Sequence, residues 1–207
     1  MAFCESSQEQ FFYLWGSSGS GVSHLLQAVQ HQLLDQQTGL KGAAPSIQYL
    51  PLAELLAYPA ADVCAGLEQL DMVVIDNIEA LAGNSEWELA LFALYNRLRD
   101  NNKRLLVGAA MSPRQLPIQL ADLQSRLQWG TVYQLSALSD QEKSQALAMR
   151  AQALGLDLGV EVIQFIMTHT DRNIHQLIAI LARVDNASLA EKRRITIPFV
   201  KQVLALA

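Results

Sequence analysis

The run Gly16-Ser17-Ser18-Gly19-Ser20-Gly21-Val22-Ser23 constrains this chain more than any other segment. It follows the spacing G-x-x-x-x-G-K-[ST]. In that pattern glycines let backbone N–H groups wrap a phosphate, a lysine reaches the outer phosphates, and Ser or Thr holds a metal ion. The glycines and Ser23 are in place, and Val22 stands at the lysine position. The flanks agree with such a loop. Phe11 to Trp15 is an unbroken apolar run, the pattern of a strand buried on both faces of a parallel sheet. After the loop, Leu25, Leu26, Ala28 and Val29 recur with helical spacing. Strand, glycine loop and helix predict an α/β nucleotide-binding domain. Gly16, Ser17, Ser18, Gly19, Ser20, Gly21, Val22 and Ser23 are its nucleotide-binding candidates. The alternative is a Gly/Ser-rich turn that only shares the spacing.

The pattern continues downstream. Ile47 to Leu50, Met72 to Asp76, Arg104 to Ala109 and Val132 to Leu135 read as further strands. Glu86 to Asp100 reads as an amphipathic helix, with Trp87, Leu91, Leu94 and Leu98 on one face. Strands separated by helices predict a parallel sheet covered on both faces, with its ligand at the carboxyl ends of the strands. The pattern changes at Ser139, where Ser139-Asp140-Gln141-Glu142 forms a capping box. Helices follow to about Leu154, from Val160 to Thr168, from Asn173 to Ala187, and from Thr196-Ile197-Pro198 onward. The expected organisation is an α/β domain over residues 1–137 and a small all-helical domain over 138–207.

Composition excludes several classes. With 51% hydrophobic residues and 17% charged, the 207-residue chain buries a sizeable core. No apolar run reaches the roughly 18 to 20 residues of a membrane span. Met1 to Gln10 has neither the basic start nor the apolar stretch of a signal peptide. Cys4 and Cys64 lack metal-ligand spacing. These features predict a cytoplasmic protein with no membrane partner. A net charge of −5 argues against a general nucleic-acid binder, and no direct sequence-specific DNA binding is expected. The one basic cluster, Lys192-Arg193-Arg194, reads as a solvated turn between helices.

Two side chains stand out for chemistry. Asp76 closes an apolar strand, where an acid commonly helps to hold Mg²⁺ beside a nucleotide, with Ser23 as the second metal candidate. The next residue is Asn77, which cannot act as a base, and Glu79 lies beyond it. Arg126 is the one basic residue of Asp122 to Gly130, just before the last strand. It is either a structural arginine bonding carbonyls or an arginine finger that stabilises charge on a transferring phosphoryl group.

Several runs together resemble one family. They are the glycine loop continuing into Ser23-His24-Leu25-Leu26, then VVIDNIEALAG, WELALFALYNRL, LADLQSRLQWG, DRNIHQLIAIL and ITIPFVKQVL. They are similar to the AAA+ module of the bacterial DnaA/Hda replication family, over about Phe11 to Leu206. The resemblance implies a P-loop AAA+ parallel sheet flanked by helices and followed by a helical lid domain. It places Gly16, Gly19, Gly21 and Ser23 in the Walker A loop and Asp76 at the first Walker B acid. Asn77 replaces the second acid, and Ala109-Ala110 replaces a polar sensor I. His175 falls at the sensor II arginine, with Arg172 one turn away. Arg126 matches the arginine finger of the SRLxWG motif.

Positions that would serve the chain's own hydrolysis are thus altered, and the residue that acts on a neighbour's nucleotide is kept. The initiator carries a further helix-turn-helix domain for DNA, and this chain stops at Ala207, which favours the regulator branch. The expectation is a non-hydrolysing regulator that stimulates ATP hydrolysis by DnaA through Arg126. The alternative is an adaptor or loader that binds a DnaA-like or helicase partner without activating it. The resemblance also implies ADP or another nucleoside diphosphate with Mg²⁺, held weakly because of Val22. Its partners would be DnaA, the DNA-loaded sliding clamp and a second copy of the chain. The glutamine- and leucine-containing clamp motif is not seen in Met1 to Gln10.

Overall fold

Runs of apolar residues with no room for a polar face become the inner strands of a five-stranded sheet. In the computed structural model, which describes residues 9–35, 45–156, 158–171 and 173–205, the strands are β1 (Phe11–Trp15), β2 (Ile47–Pro51), β3 (Met72–Asp76), β4 (Arg104–Ala109) and β5 (Thr131–Gln134). Their order is β2-β3-β4-β1-β5, and every pairing is parallel. The register sets Phe11 beside Leu105, Met72 beside Arg104, and Ile47 beside Met72. All five residues of β3 are buried, as a central parallel strand requires.

Successive side chains point to opposite faces. Phe12, Leu14, Val74 and Leu106 pack with Leu26 and Val29 of α1 (Val22–Asp35). Tyr13, Val73, Ile75, Leu105 and Val107 face the other way. There they meet Leu91, Leu94 and Leu98 of α4 (Ser85–Asp100) and Leu123 and Leu127 of α5 (Ala121–Trp129). The short helices α2 (Leu52–Leu55) and α3 (Ala60–Val63) and a 3-10 turn (Leu67–Gln69) connect β2 to β3. None of these three, nor α5, was expected. The expected two-sided cover holds for the inner strands only. At β5 three of four residues are exposed, with Val132 and Tyr133 turned to solvent.

The chain divides into two compact units, Met1–Ala137 and Leu138–Ala207. The second contains α6 (Asp140–Ala153), α7 (Val160–His169), α8 (Ile174–Glu191) and α9 (Ile197–Leu204). Its core includes Leu147, Ile166, Leu177, Leu181, Val184 and Phe199. The capping box closes as the sequence indicates. The Ser139 hydroxyl accepts from the Glu142 N–H at 3.3 Å, and Glu142 accepts from the Ser139 N–H at 2.7 Å. Bonds from the Ser139 hydroxyl and N–H hold the Glu142 carboxyl below its ordinary range. Lys192 ends α8 in a left-handed conformation (φ 51°), and Arg193 pairs with Glu191. The basic cluster is therefore an exposed turn between helices. Among the described residues no helix is long and apolar enough to cross a membrane.

Candidate nucleotide loop and arginine finger

The loop leaves β1 at Gly16, whose N–H donates to the Ala109 carbonyl at 3.1 Å and ties it to the end of β4. The Ser20 N–H donates back to the Ser17 carbonyl at 2.9 Å. Gly19 and Gly21 have φ of 82° and 92°, the left-handed region that glycine occupies without a steric cost. A Cβ at Gly16 would stand 2.4 Å from the Ser20 hydroxyl oxygen and 2.6 Å from the Leu135 carbonyl. Only glycine fits there. From Val22 the chain enters the 14-residue α1, whose first turn holds no acid. Its unpaired N–H groups favour an anion. The Ser20 Oγ is buried and has no hydrogen-bond partner among the described residues. A buried hydroxyl without a partner is rare enough to need an explanation. Glycine-shaped backbone, a free helix N-terminus and an orphan hydroxyl together fit a diphosphate group.

Val22 does not face that anion with charge. It is 8% exposed and packs in the apolar layer with Leu26. A Cβ at Gly108 of β4 would meet Leu26 Cδ1 at 2.4 Å and both Val22 Cγ1 and Asp76 Oδ1 at 3.0 Å. The bare glycine lets helix, loop and Walker B acid close on one point. A single cationic contact to phosphate is worth about 1.5 to 3 kcal/mol. Val22→Lys is therefore expected to raise ADP affinity about tenfold or more in a calorimetric titration. Unchanged affinity would mean that position 22 does not reach the phosphates.

Asp76 is buried, and both of its oxygens already have protein donors. The Tyr49 hydroxyl donates to Oδ2 at 2.6 Å, and the Asn77 N–H donates to Oδ1 at 2.9 Å. Burial, then the bond to Asp76, pushes the Tyr49 phenol up to about 12. Each Asp76 oxygen thus accepts one protein hydrogen bond and keeps a further lone pair. Among the described residues no three His, Cys, Asp or Glu side chains gather to hold a metal. Asn77 is left-handed (φ 56°) and opens a 3-10 turn over Ile78–Leu81, a conformation that asparagine tolerates. Glu79 reaches across to accept the Ala110 N–H at 3.2 Å. It thus braces the ends of β3 and β4, and Ala110 presents no polar side chain of its own.

Arg126 lies in the last turn of α5, half-exposed. Its guanidinium carbon stands 4.3 Å above the ring of Trp129. Among the described residues it has no carboxylate partner and bonds no carbonyl. Its charge is felt nearby. Burial raises the Tyr95 phenol, and the Arg126 and Arg99 charges counter part of that. The helix that carries Arg126 has Leu120 as its N-cap residue, which offers no side-chain bond. The cap comes from α4. Glu88, 1% exposed, accepts the N–H groups of Leu120 at 2.7 Å, Gln119 at 3.0 Å and Gly83 at 3.0 Å.

Residues 4–134 match the family model for the bacterial DnaA ATPase domain, and residues 140–204 match that for the Hda lid domain. The chain belongs to the DnaA/Hda family. Domain III of the Thermotoga maritima replication initiation protein DnaA superposes with a TM-score of 0.81 at 18% identity, over 98% of this chain and 86% of that one. AMPPCP-bound DnaA from Aquifex aeolicus gives 0.69 at 19% identity, over 86% of this chain and 56% of that one. The Thermotoga maritima RuvB Holliday junction branch migration motor gives 0.68 at 19%, over 95% and 61%. At these identities the solved structures share the fold. The DnaA/Hda chain spans a little over half of the longer initiator.

In this family member His175 sits in the first turn of α8, exposed, its N–H capped by Asn173 Oδ1 at 2.9 Å. It belongs to the second unit. Arg172, Cys4 and most of Met1 to Gln10 lie outside the described residues. Three residues that shape the sites were missed in the sequence: Gly108, Tyr49 and Glu88. Gly108 had a signal, since a glycine inside a strand marks close backbone approach. Glu88 had a weaker one, an acid between Trp87 and Leu91 on the buried side of its helix.

Proposed function

We propose that this DnaA-related regulator of replication initiation accelerates ATP hydrolysis by the initiator DnaA. It does so by presenting Arg126 to the initiator's nucleotide, and it hydrolyses little or no ATP itself. The observation that carries the reading is the state of Arg126, a half-exposed guanidinium with no carboxylate partner among the described residues, at the end of a helix. Arginine remains charged at any physiological pH, and its planar fork matches two phosphoryl oxygens at once. Supplied to a partner's site, it offsets the charge that spreads over the transferring group. The chain's own loop is arranged differently. Val22 is apolar, Asn77 cannot take a proton from water, and Tyr49 holds Asp76.

The loop's part in this reading is to bind a nucleoside diphosphate, ADP first among them, through backbone N–H groups and Ser20. When bound, a diphosphate would place negative charge at Ser20 and the N-terminus of α1. The family resemblance supports a cytoplasmic setting, the DNA-loaded sliding clamp as a second partner, and negative control of initiation as the outcome. The test is initiator ATP hydrolysis measured with and without this protein, in the presence of clamp and DNA, for wild type and Arg126→Ala. An Arg126→Ala protein that stimulates as well as wild type would leave an adaptor that binds without activating. Turnover by the purified chain alone would overturn the non-hydrolysing part.

A further inference from the structure

The geometry points to Trp129 as a positioning residue for Arg126, its indole face holding the guanidinium in place before a partner's nucleotide arrives. This deepens the reading of Arg126 as a finger and rests on it. Trp129 lies three residues after Arg126 on the same helix, a spacing that brings side chains together. The guanidinium carbon is 4.3 Å from the ring centroid, and Trp129 is 68% exposed. The helix stops at this residue. A Cβ on the next residue, Gly130, would stand 2.5 Å from the Phe11 carbonyl oxygen, so only glycine lets the chain pass this close to β1 as it enters β5. Leu123 and Leu127, both buried, pin the other side of α5 to the core. Trp129 is thus fixed at the backbone while its ring stays in solvent.

The choice of an aromatic partner has a chemical consequence. A carboxylate would hold the arginine equally well but would neutralise it. An indole face attracts the cation through its quadrupole and leaves the charge, and the outward N–H groups, free. Arginine also loses much rotamer freedom when fixed in one geometry. A guanidinium already resting on the indole face loses less on meeting a phosphoryl group. The effect of Trp129 therefore falls on the rate of the stimulated reaction and little on partner affinity.

The experiment combines a double-mutant cycle with a partner-free signal. Trp129→Ala should lower the maximal stimulated rate of initiator hydrolysis about threefold to tenfold, with the half-saturating concentration of this protein unchanged within about twofold. Trp129→Phe should keep more than half of the wild-type rate. In an Arg126→Ala background, Trp129→Ala should have no further effect. In the free protein, the Arg126 side-chain N–H should resonate upfield of the other arginines in the wild type and Trp129→Phe, and shift back in Trp129→Ala. A Trp129→Ala protein that loses affinity but keeps its maximal rate would make Trp129 a docking contact and overturn the inference. So would an additive loss in the double variant, or an unshifted Arg126 signal in the wild type. If Arg126→Ala alone costs nothing, the finger reading fails, and the free-protein signal still decides whether the stack exists.

Discussion

Arg126→Ala is expected to return initiator hydrolysis to the rate of the initiator alone, a fall of about 10³-fold from the saturated stimulated rate, the low end of what an arginine finger supplies. The expectation follows from where the charge acts. Only an interaction stronger in the transition state than in the ground state raises turnover, and a guanidinium beside a transferring phosphoryl group is one. The half-saturating concentration should change little, because docking spreads over a surface of many residues. Arg126→Lys should recover little of the rate, since an ammonium lacks the two-pronged fork. Folding is not the confounding variable. Arg126 has no ion pair among the described residues and gives up chiefly its stack on Trp129 and some packing beside Tyr95. The exposed stack is worth about 0.5 to 1 kcal/mol, so thermal unfolding of wild type and variant should nearly coincide. Stimulation by Arg126→Ala equal to that of wild type would sink the proposed function.

Much of the fold was legible because its signals are local. The runs Phe11–Trp15, Met72–Asp76 and Arg104–Ala109 are apolar throughout, and their bounds in the structure are those of the runs. The capping box at Ser139 lies within four consecutive residues and marks the start of α6. The glycine loop was legible for the same reason. Its left-handed turns at Gly19 and Gly21 are written in the residues that make them. What was missed is long-range. The N-cap residue of α5 is Leu120, so no Ser, Thr, Asp or Asn announces the helix, and the acceptor for its N-cap N–H is Glu88, 32 residues earlier. Asp76 read as a metal acid from its place at a strand end. That Tyr49 would donate to it depends on β2 pairing with β3, with Pro51 beside Asp76. No local pattern reports that pairing. That no carboxylate pairs with Arg126 among the described residues is likewise a property of its surroundings and not of its neighbours in the chain.

The same long-range cap yields the largest expected effect on stability. Glu88→Ala should cost about 2 to 4 kcal/mol, against about 1 kcal/mol for an ordinary substitution. The Glu88 carboxylate is 1% exposed, and among the described residues no cation pairs with it. Its charge is met by the N–H groups of Gly83, Gln119 and Leu120, the last two at the start of α5, where the helix macrodipole favours an anion. Alanine would leave these partly buried donors without their acceptor, each costing up to about 1 to 3 kcal/mol before water and backbone relax around them. Glu88→Gln should fall between the two proteins. An amide oxygen still accepts, but its NH₂ faces other donors. Hydrogen exchange is the sharper measurement, because the two units need not unfold together. The Gln119 and Leu120 amides should lose protection in Glu88→Ala, while amides of α8 in the second unit keep theirs. A stability within 1 kcal/mol of wild type would show that the cap is dispensable. Because α5 also carries Arg126, the loosened helix has a functional signature. Below its melting temperature Glu88→Ala should stimulate initiator hydrolysis poorly and yet bind ADP as the wild type does, since the glycine loop hangs from β1 and β4 and makes no bond to Glu88.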